Sequence, residues 1–110
     1  MNISIITFTE NGTKLAEKIR QAFVGTKTEE AKNLGLSLSD WTRQQFAEKN
    51  AIVVIGACGI AVRMIAPFVS DKLSDSPVVV ADEAGTFVIP LLSGHMGGAN
   101  ELAEQIAGQI

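Results

Sequence analysis

The chain has 110 residues, of which nine are basic and twelve acidic, for a net charge of −3. That length suits a single domain covering residues 1–110, and without a basic surplus a nucleic-acid partner is not expected. Hydrophobic residues make up 46% of the chain and charged residues 19%, a composition that excludes intrinsic disorder.

The cysteine and histidine content and the apolar runs indicate the cellular compartment and whether a metal or a membrane is expected. The single cysteine, Cys58, cannot form an internal disulfide, which favours a cytoplasmic protein. One cysteine and one histidine also exclude a structural zinc site within one chain. Residues 1–4 lack the basic segment of a signal peptide. The longest uncharged apolar run, residues 51–62, is shorter than the roughly 20 residues that a bilayer requires, so we expect no membrane partner.

The first half of the chain predicts alternating strands and helices. A β-branched run at residues 3–8 indicates a buried strand, and residues 11–12 (Asn-Gly) are expected to break it. Apolar side chains then recur at helical spacing over residues 15–23. Residues 26–28 allow a short edge strand, and residues 39–40 (Ser-Asp) supply a candidate N-cap for a helix that buries an aromatic side chain.

The second half continues the alternation. Residues 51–55 are fully apolar, as in the centre of a parallel sheet, and a helix is expected at about residues 60–68. Strands are predicted at residues 77–81 and 86–91, and the four-residue turn between them favours a hairpin. The pattern predicts an α/β fold, a three-layer, mostly parallel open sheet flanked by helices (Rossmann-like), with this hairpin before the last helix.

The last predicted helix keeps its apolar stripe up to Ile110 without a C-cap. We therefore expect that residues 1–110 are a fragment of a longer protein. The alternative is a natural C-terminal helix that frays at its end.

Two glycine-rich loops each follow an apolar strand and open a helix: residues 56–59, the first glycine loop, and residues 93–98, the second glycine loop. Glycines let backbone N–H groups converge, and a helix N-terminus adds positive potential, so such loops suit phosphate or carboxylate groups. If the strands ending at Ile55 and Leu91 are parallel, both loops lie at one edge of the sheet. Neither loop matches a nucleotide fingerprint, and the glycines could serve only as tight turns. The candidate binding residues in the loops are Gly56, Gly59, Gly94, Gly97 and Gly98.

Arg63 is the only charge on an otherwise apolar predicted helix. A buried guanidinium requires a partner, because an unpaired buried charge is costly. Asp82 or Glu83 would serve as an internal partner, and a ligand carboxylate, which arginine binds in bidentate geometry, would serve as a functional one.

Three residues are candidates for catalysis: His95, Asp82 and Glu101. His95 lies among glycines, where an accessible histidine can transfer protons near neutral pH; a solvent-facing loop residue or a local cap is the alternative. Asp82 belongs to a carboxylate pair that suits acid–base work, although such pairs more often cap turns. Glu101 would equally complement the dipole of the last helix. Two further polar residues are candidates for substrate binding, Ser93, which also fits a loop hydrogen-bonding role, and Asn100.

Two segments resemble the signature of the CbiG family, the cobalt-precorrin-5A hydrolases of anaerobic cobalamin synthesis. They are residues 55–67, IGACGIAVRMIAP, and residues 88–103, VIPLLSGHMGGANELA. Residues 8–12, FTENG, also fit, and the match is weakest at residues 26–48. The resemblance implies the N-terminal α/β region of a longer hydrolase, with the middle and C-terminal regions of the same polypeptide as its partners.

The activity implied by this resemblance is opening of a lactone on a cobalt corrinoid, with release of acetaldehyde. Cobalt would arrive on the tetrapyrrole substrate, so no protein cofactor is implied. We expect His95 to act as the base, although it could instead ligate cobalt. Backbone N–H groups of Gly97 and Gly98, with Gly94 as a further candidate, would hold the oxyanion or a substrate carboxylate, and Arg63 would grip an acetate or propionate arm.

A second hypothesis is a corrinoid-binding or domain-assembly module, with catalysis carried by other regions of the enzyme. A third and weaker one is an unrelated nucleotide-binding half-domain. The sequence leaves a homodimer open.

Overall fold

The structure is a computed structural model that describes residues 2–71, 73–94 and 97–110. Within these segments the chain forms five strands: β1 (Ile3–Thr7), β2 (Thr26–Glu30), β3 (Ala51–Ile55), β4 (Val78–Ala81) and β5 (Val88–Leu92). The helices are α1 (Glu10–Ala22), α2 (Leu38–Glu48), α3 (Cys58–Ile65) and α4 (Ala99–Gln109). Two short 3₁₀ helices, Ala31–Asn33 and Ala66–Phe68, precede α2 and follow α3. In the described part of the chain, no helix combines the length and hydropathy needed to cross a membrane.

The strands form one sheet in the order β2-β1-β3-β4-β5. β1 pairs with β2 and with β3 in parallel, and β3 pairs with β4 in parallel. β5 runs antiparallel to β4, with Val88 opposite Ala81 and Leu92 opposite Val78. The predicted fold class, a mostly parallel sheet that ends in a hairpin before the last helix, is therefore confirmed.

Two apolar cores lie on the two faces of the sheet. Side chains alternate across a strand, so Ile5 and Val53 pack beneath α1 and α4, whereas Ile6 and Val54 pack beneath α2 and α3. Trp41 of α2 belongs to the second core and is only 4% exposed, as the sequence predicted for an aromatic residue of this helix. Every residue of β3 is buried, which explains why this strand reads as a continuous apolar run.

The predicted break at residues 11–12 is wrong, because α1 begins at Glu10 and includes both residues. Thr9 makes this early start possible. Its Oγ1 accepts a hydrogen bond from the backbone N–H of Gly12 at 3.0 Å, which satisfies a donor that the first helical turn leaves unpaired.

The predicted N-cap of α2 is also wrong, since Ser37 takes that position and accepts from the Asp40 backbone N–H at 3.0 Å. α3 begins at Cys58, two residues earlier than expected, and ends at Ile65. The chain continues through Pro67 as a 3₁₀ turn, because a proline close to the end of a helix disrupts its hydrogen bonding.

The strand ends form two opposite edges of the sheet, and β5, which runs in the reverse direction, begins at the edge where the other strands end. At the carboxyl edge, β1 to β4 end and β5 begins. At the amino edge, β1 to β4 begin and β5 ends. The first glycine loop follows β3 and lies at the carboxyl edge, whereas the second follows β5 and lies at the amino edge.

Candidate functional site

A topological switch point lies between the carboxyl ends of β1 and β3. α1 carries the chain from β1 to β2 on one face of the sheet, and α3 carries it from β3 to β4 on the other face. The two connections therefore diverge and leave a crevice between them. Open α/β sheets of this strand order bind ligands at that crevice. The first glycine loop borders it.

The first glycine loop presents backbone donors at this edge. The N–H of Gly56 is used within the sheet, since it donates to the Ala81 carbonyl at 2.9 Å. The N–H groups of Cys58 and Gly59, in the first turn of α3, have no acceptor among the described residues, and both residues are exposed. A Cβ added to Gly59 would meet no atom within 4 Å. Packing therefore does not explain the glycine at position 59.

A groove between α2 and α3 lies beside this loop. It has a volume of about 310 Å³, and its walls are the apolar side chains of Leu38, Ile60, Met64 and Pro67. Ser39 and Arg63 line it as well. α2 follows β2 and α3 follows β3, so both helices begin near the carboxyl edge and the groove extends from there.

Arg63 is exposed, and it forms no ion pair with any described residue. The two internal partners that the sequence suggested are engaged elsewhere. Asp82 accepts a hydrogen bond from the Phe87 backbone N–H at 2.7 Å, and Glu83 accepts one from Thr9 Oγ1 at 2.5 Å. The predicted internal pairing of Arg63 is therefore not formed, and its guanidinium faces solvent beside the groove.

The carboxylates of the carboxyl edge gather around the start of α1. Glu83 bonds the Thr9 hydroxyl, and Glu30 accepts from the Thr13 hydroxyl at 3.5 Å. Glu10 occupies the first turn of the same helix. Negative side chains complement the positive end of a helix dipole, so this half of the edge is acidic and electrostatically satisfied. The half around α3 has no acidic residue in its first turn.

The second glycine loop is held closely against its own surroundings. The Ser93 hydroxyl donates to the Asp75 carbonyl at 3.1 Å, and the Ser93 carbonyl accepts from the Ala99 N–H at 3.1 Å. The Gly94 carbonyl accepts from the Asn100 N–H at 2.9 Å. Two donors at the start of α4 are thus used by the loop itself, which agrees with the loop-stabilising role that the sequence allowed for Ser93.

Close approach to backbone requires one glycine of this loop, Gly97, whereas Gly94 lies against the movable Asn100 side chain. A Cβ at Gly94 would lie 2.5 Å from Asn100 Oδ1, and one at Gly97 would lie 2.5 Å from Ser93 Cβ. Gly98 adopts a φ of 90°, in the left-handed region, and precedes α4 as its N-cap. The close contact at Gly97 and the left-handed φ at Gly98 explain these two glycines without a ligand.

His95 lies outside the described residues, so its role as a base stays a prediction. Glu101 is exposed in the first turn of α4 and receives a weak hydrogen bond from Gln105 Nε2 at 3.5 Å. Together with Gly98, Glu101 lines a shallow cleft of about 330 Å³ at the amino edge, next to Phe23 and Val24.

Comparison with known proteins identifies the family. The profile described as cobalamin synthesis G N-terminal (CbiG_N) matches residues 40–110. The chain belongs to this family. The matched segment contains α3, α4, both glycine loops and α2 from its third residue onward, whereas the groove residues Leu38 and Ser39 lie just before it.

Relatives of this CbiG_N chain carry consistent names. It is 40% identical to a cobalt-precorrin-5A hydrolase of Salmonella typhimurium over 99% of the chain and 33% of that protein. It is 46% identical to a cobalt-precorrin-5A hydrolase of Priestia megaterium over 59% of the chain and 17% of that protein. A solved structure of a cobalamin biosynthesis protein G homologue from Sulfolobus solfataricus matches 97% of the chain and 33% of its own, with a TM-score of 0.75 and 26% identity. The chain thus spans at most about a third of the length of these relatives.

The candidate residues of the CbiG_N chain do not form one cluster. The two glycine loops would lie at the same edge only if the strands before them were parallel. They are not, because β5 is antiparallel to β4. Asp82 follows β4 at the carboxyl edge, whereas Glu101 belongs to α4, which starts at the amino edge. A five-residue strand such as β3 is about 16 Å long, so one small reacting group cannot touch both edges.

Sequence reasoning on this CbiG_N chain missed the contribution of α2. The groove takes Leu38 and Ser39 from that helix, in the stretch where the family resemblance is weakest. The sequence did contain a signal for the α3 wall of the groove. Ile60 and Met64 are four residues apart and lie on the same side of α3 as Arg63. The partner helix could not be identified in this way, because its packing against α3 is a long-range contact.

Proposed function

We propose that this chain acts, together with regions equivalent to the rest of its relatives, in the hydrolysis of cobalt-precorrin-5A during cobalamin biosynthesis. The observation that carries the proposal is the 40% identity to the Salmonella cobalt-precorrin-5A hydrolase over 99% of the chain. In this reaction water adds to the lactone carbonyl and the ring C–O bond breaks. The hydroxyl freed on the bridging carbon then becomes the carbonyl of acetaldehyde as the C–C bond to the macrocycle breaks, and the macrocycle keeps the electron pair of that bond and takes up a proton.

Such a reaction requires a base for the water, donors for the oxyanion and a clamp for a substrate with several carboxylates. We assign the base to His95 and the oxyanion donors to the backbone N–H groups of Gly97 and Gly98. Arg63 supplies the clamp. Because Arg63 lies in the last turn of α3, and Gly97 and Gly98 precede α4 on the opposite face of the sheet, these functions act on different parts of the substrate or at different steps.

A second candidate function is a corrinoid-binding module without chemistry of its own. The placement of α3 and α4 on opposite faces of the sheet favours it, because no single reacting group within this region could reach both Arg63 and Glu101. In that case the carboxyl edge holds the substrate and the water is activated by another region of the enzyme.

An anaerobic titration with cobalt-precorrin-5A separates the two functions. The 110-residue chain and a hydrolase of the relatives' length are titrated in parallel, with absorbance reporting binding and a coupled assay reporting acetaldehyde. Release by the chain alone places the chemistry in this region, whereas binding without release identifies a binding module. If the longer protein releases no acetaldehyde, the hydrolase proposal fails.

The role of His95 is tested in the longer protein. His95→Ala should abolish acetaldehyde release while the circular dichroism spectrum and the unfolding midpoint remain those of the wild type. Full activity in this variant would remove the base assignment.

A further inference from the structure

The groove between α2 and α3 combines an apolar surface with an available cation. Leu38, Ile60, Met64 and Pro67 line it, and the Arg63 guanidinium has no carboxylate within 4.0 Å among the described residues. Apolar side chains that face a solvent-filled groove favour a ligand that covers them. An unpaired guanidinium favours a carboxylate or a phosphate.

The polar groups of α3 lie on the side of the helix that faces the groove. Gly59 and Arg63 are four residues apart, as are Ile60 and Met64, so each pair is stacked one helical turn apart. Gly59 does not itself line the groove, but it adjoins the lining residue Ile60, and its N–H lies in the first turn of α3, one turn before Arg63. An anionic group on an otherwise apolar ligand would meet donors from the backbone and from the side chain.

The distribution of charge along the carboxyl edge favours an anion in the half around α3. Glu10 and Glu83 at the start of α1 would repel it, whereas Glu30 lies 3.9 Å from Lys32 Nζ and Asp82 is engaged by the Phe87 N–H. Nearer the groove, Asp40 is paired with Arg43, so its negative charge is offset. The region around α3 is therefore the part of this edge that is compatible with a carboxylate.

We propose that this groove seats the apolar edge of the corrinoid macrocycle while Arg63 pairs with one of its carboxylate arms, an inference that rests on the proposed function. A ring with carboxylate arms matches both properties of the groove, an apolar wall and a single cation. A phosphate ester would satisfy Arg63 but would leave the apolar wall uncovered. The groove thereby becomes the substrate-orienting surface of the region, and Ile60 and Arg63 its specificity-determining residues.

The test uses the hydrolase of the relatives' length and two stable probes. Cobyrinic acid offers the corrin ring with free carboxylates, and its heptamethyl ester offers the same ring without charge. Arg63→Met should weaken cobyrinic acid binding about tenfold, the loss expected for one charge-assisted pair, and should remove the preference for acid over ester. Arg20→Met, at an exposed arginine of α1, is the matched control and should leave the dissociation constant within about twofold.

The apolar wall is tested by a pair of changes on the same helix. Ile60→Glu places a carboxylate in the groove and should weaken binding of cobyrinic acid by more than about tenfold, through lost contact and like-charge repulsion. Val62→Glu makes the same change at a position that is 48% exposed and does not line the groove, and it should bind normally. Should Ile60→Glu fail to fold, Ser39→Glu adds the same charge at an exposed position of the opposite wall.

The outcomes distinguish this inference from the proposed function. If Arg63→Met binds cobyrinic acid as tightly as Arg20→Met does, the groove does not hold the corrinoid. The same conclusion follows if Ile60→Glu, or Ser39→Glu in its place, binds as tightly as Val62→Glu. The hydrolase proposal then still stands, provided that the wild-type protein releases acetaldehyde from cobalt-precorrin-5A. If the wild type releases none but the variants change cobyrinic acid binding as expected, the function fails and the groove remains a corrinoid site.

Discussion

The two glycine loops look alike in sequence but differ in how tightly the fold holds them. At the amino edge, a Cβ added to Gly97 would lie 2.5 Å from Ser93 Cβ and 2.8 Å from the Ser93 carbonyl oxygen, and the loop carbonyls bond the first turn of α4. At the carboxyl edge, Gly59 has open space around it, and its N–H is without an acceptor in the described segments. A glycine that packing demands needs no ligand to explain it, whereas a glycine in open space leaves room for one.

This contrast divides the candidate site. The structural explanation is sufficient for Gly97 and Gly98 of the second loop, although it does not bear on His95, which lies outside the described residues. The first loop, together with Arg63 and the groove, is the better candidate for contact with a ligand. The predictions below test the two edges separately, beginning with the change expected to cost most.

Gly97→Ala should have the largest effect, lowering the free energy of unfolding by about 3 kcal/mol. The added methyl would lie 2.5 Å from Ser93 Cβ and 2.8 Å from the Ser93 carbonyl oxygen, so the backbone of the loop would have to move. Urea denaturation of the 110-residue chain measures the change. Gly108→Ala, in α4 with no atom within 4 Å, is the control and should not destabilise the chain. Equal stability of the two variants would contradict the packing explanation.

Asp75→Ala should cost about 2 kcal/mol, because it removes a buried carboxylate that accepts several partly buried hydrogen bonds. Asp75 is 8% exposed, and its carboxylate accepts from the backbone N–H groups of Ser70 and Asp71 at 2.9 and 3.1 Å. The hydrogen bond from the Ser93 hydroxyl goes to the backbone carbonyl of Asp75 and is kept in this variant, so the loss reports the carboxylate alone. Asp71→Ala, which removes one exposed hydrogen bond to Leu73, should cost less than about 1 kcal/mol in the same denaturation experiment. A smaller loss at Asp75 than at Asp71 would refute the anchoring role.

Asp82→Ala should cost about 1 kcal/mol, the value of one turn hydrogen bond to the Phe87 N–H. Asp82→Asn should change stability by less than about 0.5 kcal/mol, because an amide oxygen can accept the same bond. If the turn is the function of Asp82, the asparagine variant of the longer protein also keeps its acetaldehyde release. Loss of turnover at unchanged stability would instead establish Asp82 as catalytic.

Gly59→Ala should have the smallest effect on stability, a change of less than about 1 kcal/mol with stabilisation favoured, because alanine suits a helix better than glycine. Binding provides the contrast. The added methyl should weaken cobyrinic acid binding several-fold in an absorbance titration, since it would obstruct close approach to the backbone of α3. Unchanged affinity would show that the ligand does not approach this turn.

Much of the fold could be predicted from local pattern. Residues 51–55 were predicted as a central strand with the same limits as β3, because a strand covered on both faces is apolar throughout. The start of α1 was missed because Asn-Gly is typical of turns, whereas here the Thr9 cap lets the helix begin before them. The N-cap of α2 was missed for a similar reason, since three polar residues, Ser37, Ser39 and Asp40, compete within four positions.

The candidate site was predicted only in part. Arg63 and the first glycine loop were found from sequence, because a lone charge and clustered glycines stand out in an apolar stretch. The groove residues of α2 were not found, because their contact with α3 joins segments that are distant in the chain. The internal partners suggested for Arg63 were wrong. Asp82 accepts from the Phe87 N–H in its own turn, and Glu83 accepts from the hydroxyl of Thr9, the N-cap of α1.

By itself the sequence determined the alternating α/β elements, the hairpin and the family resemblance, each of which depends on residue type and spacing. Only the tertiary structure decided that the two glycine loops occupy opposite edges of the sheet and that α2 and α3 enclose a groove beside Arg63. The physical reason is that the predicted hairpin reverses β5 only relative to β4, and the direction of β4 relative to β3 depends on pairing between distant segments, so the local pattern does not give the edge at which β5 ends. Its direction is set by pairing with β4, and that pairing places everything that follows it in the chain.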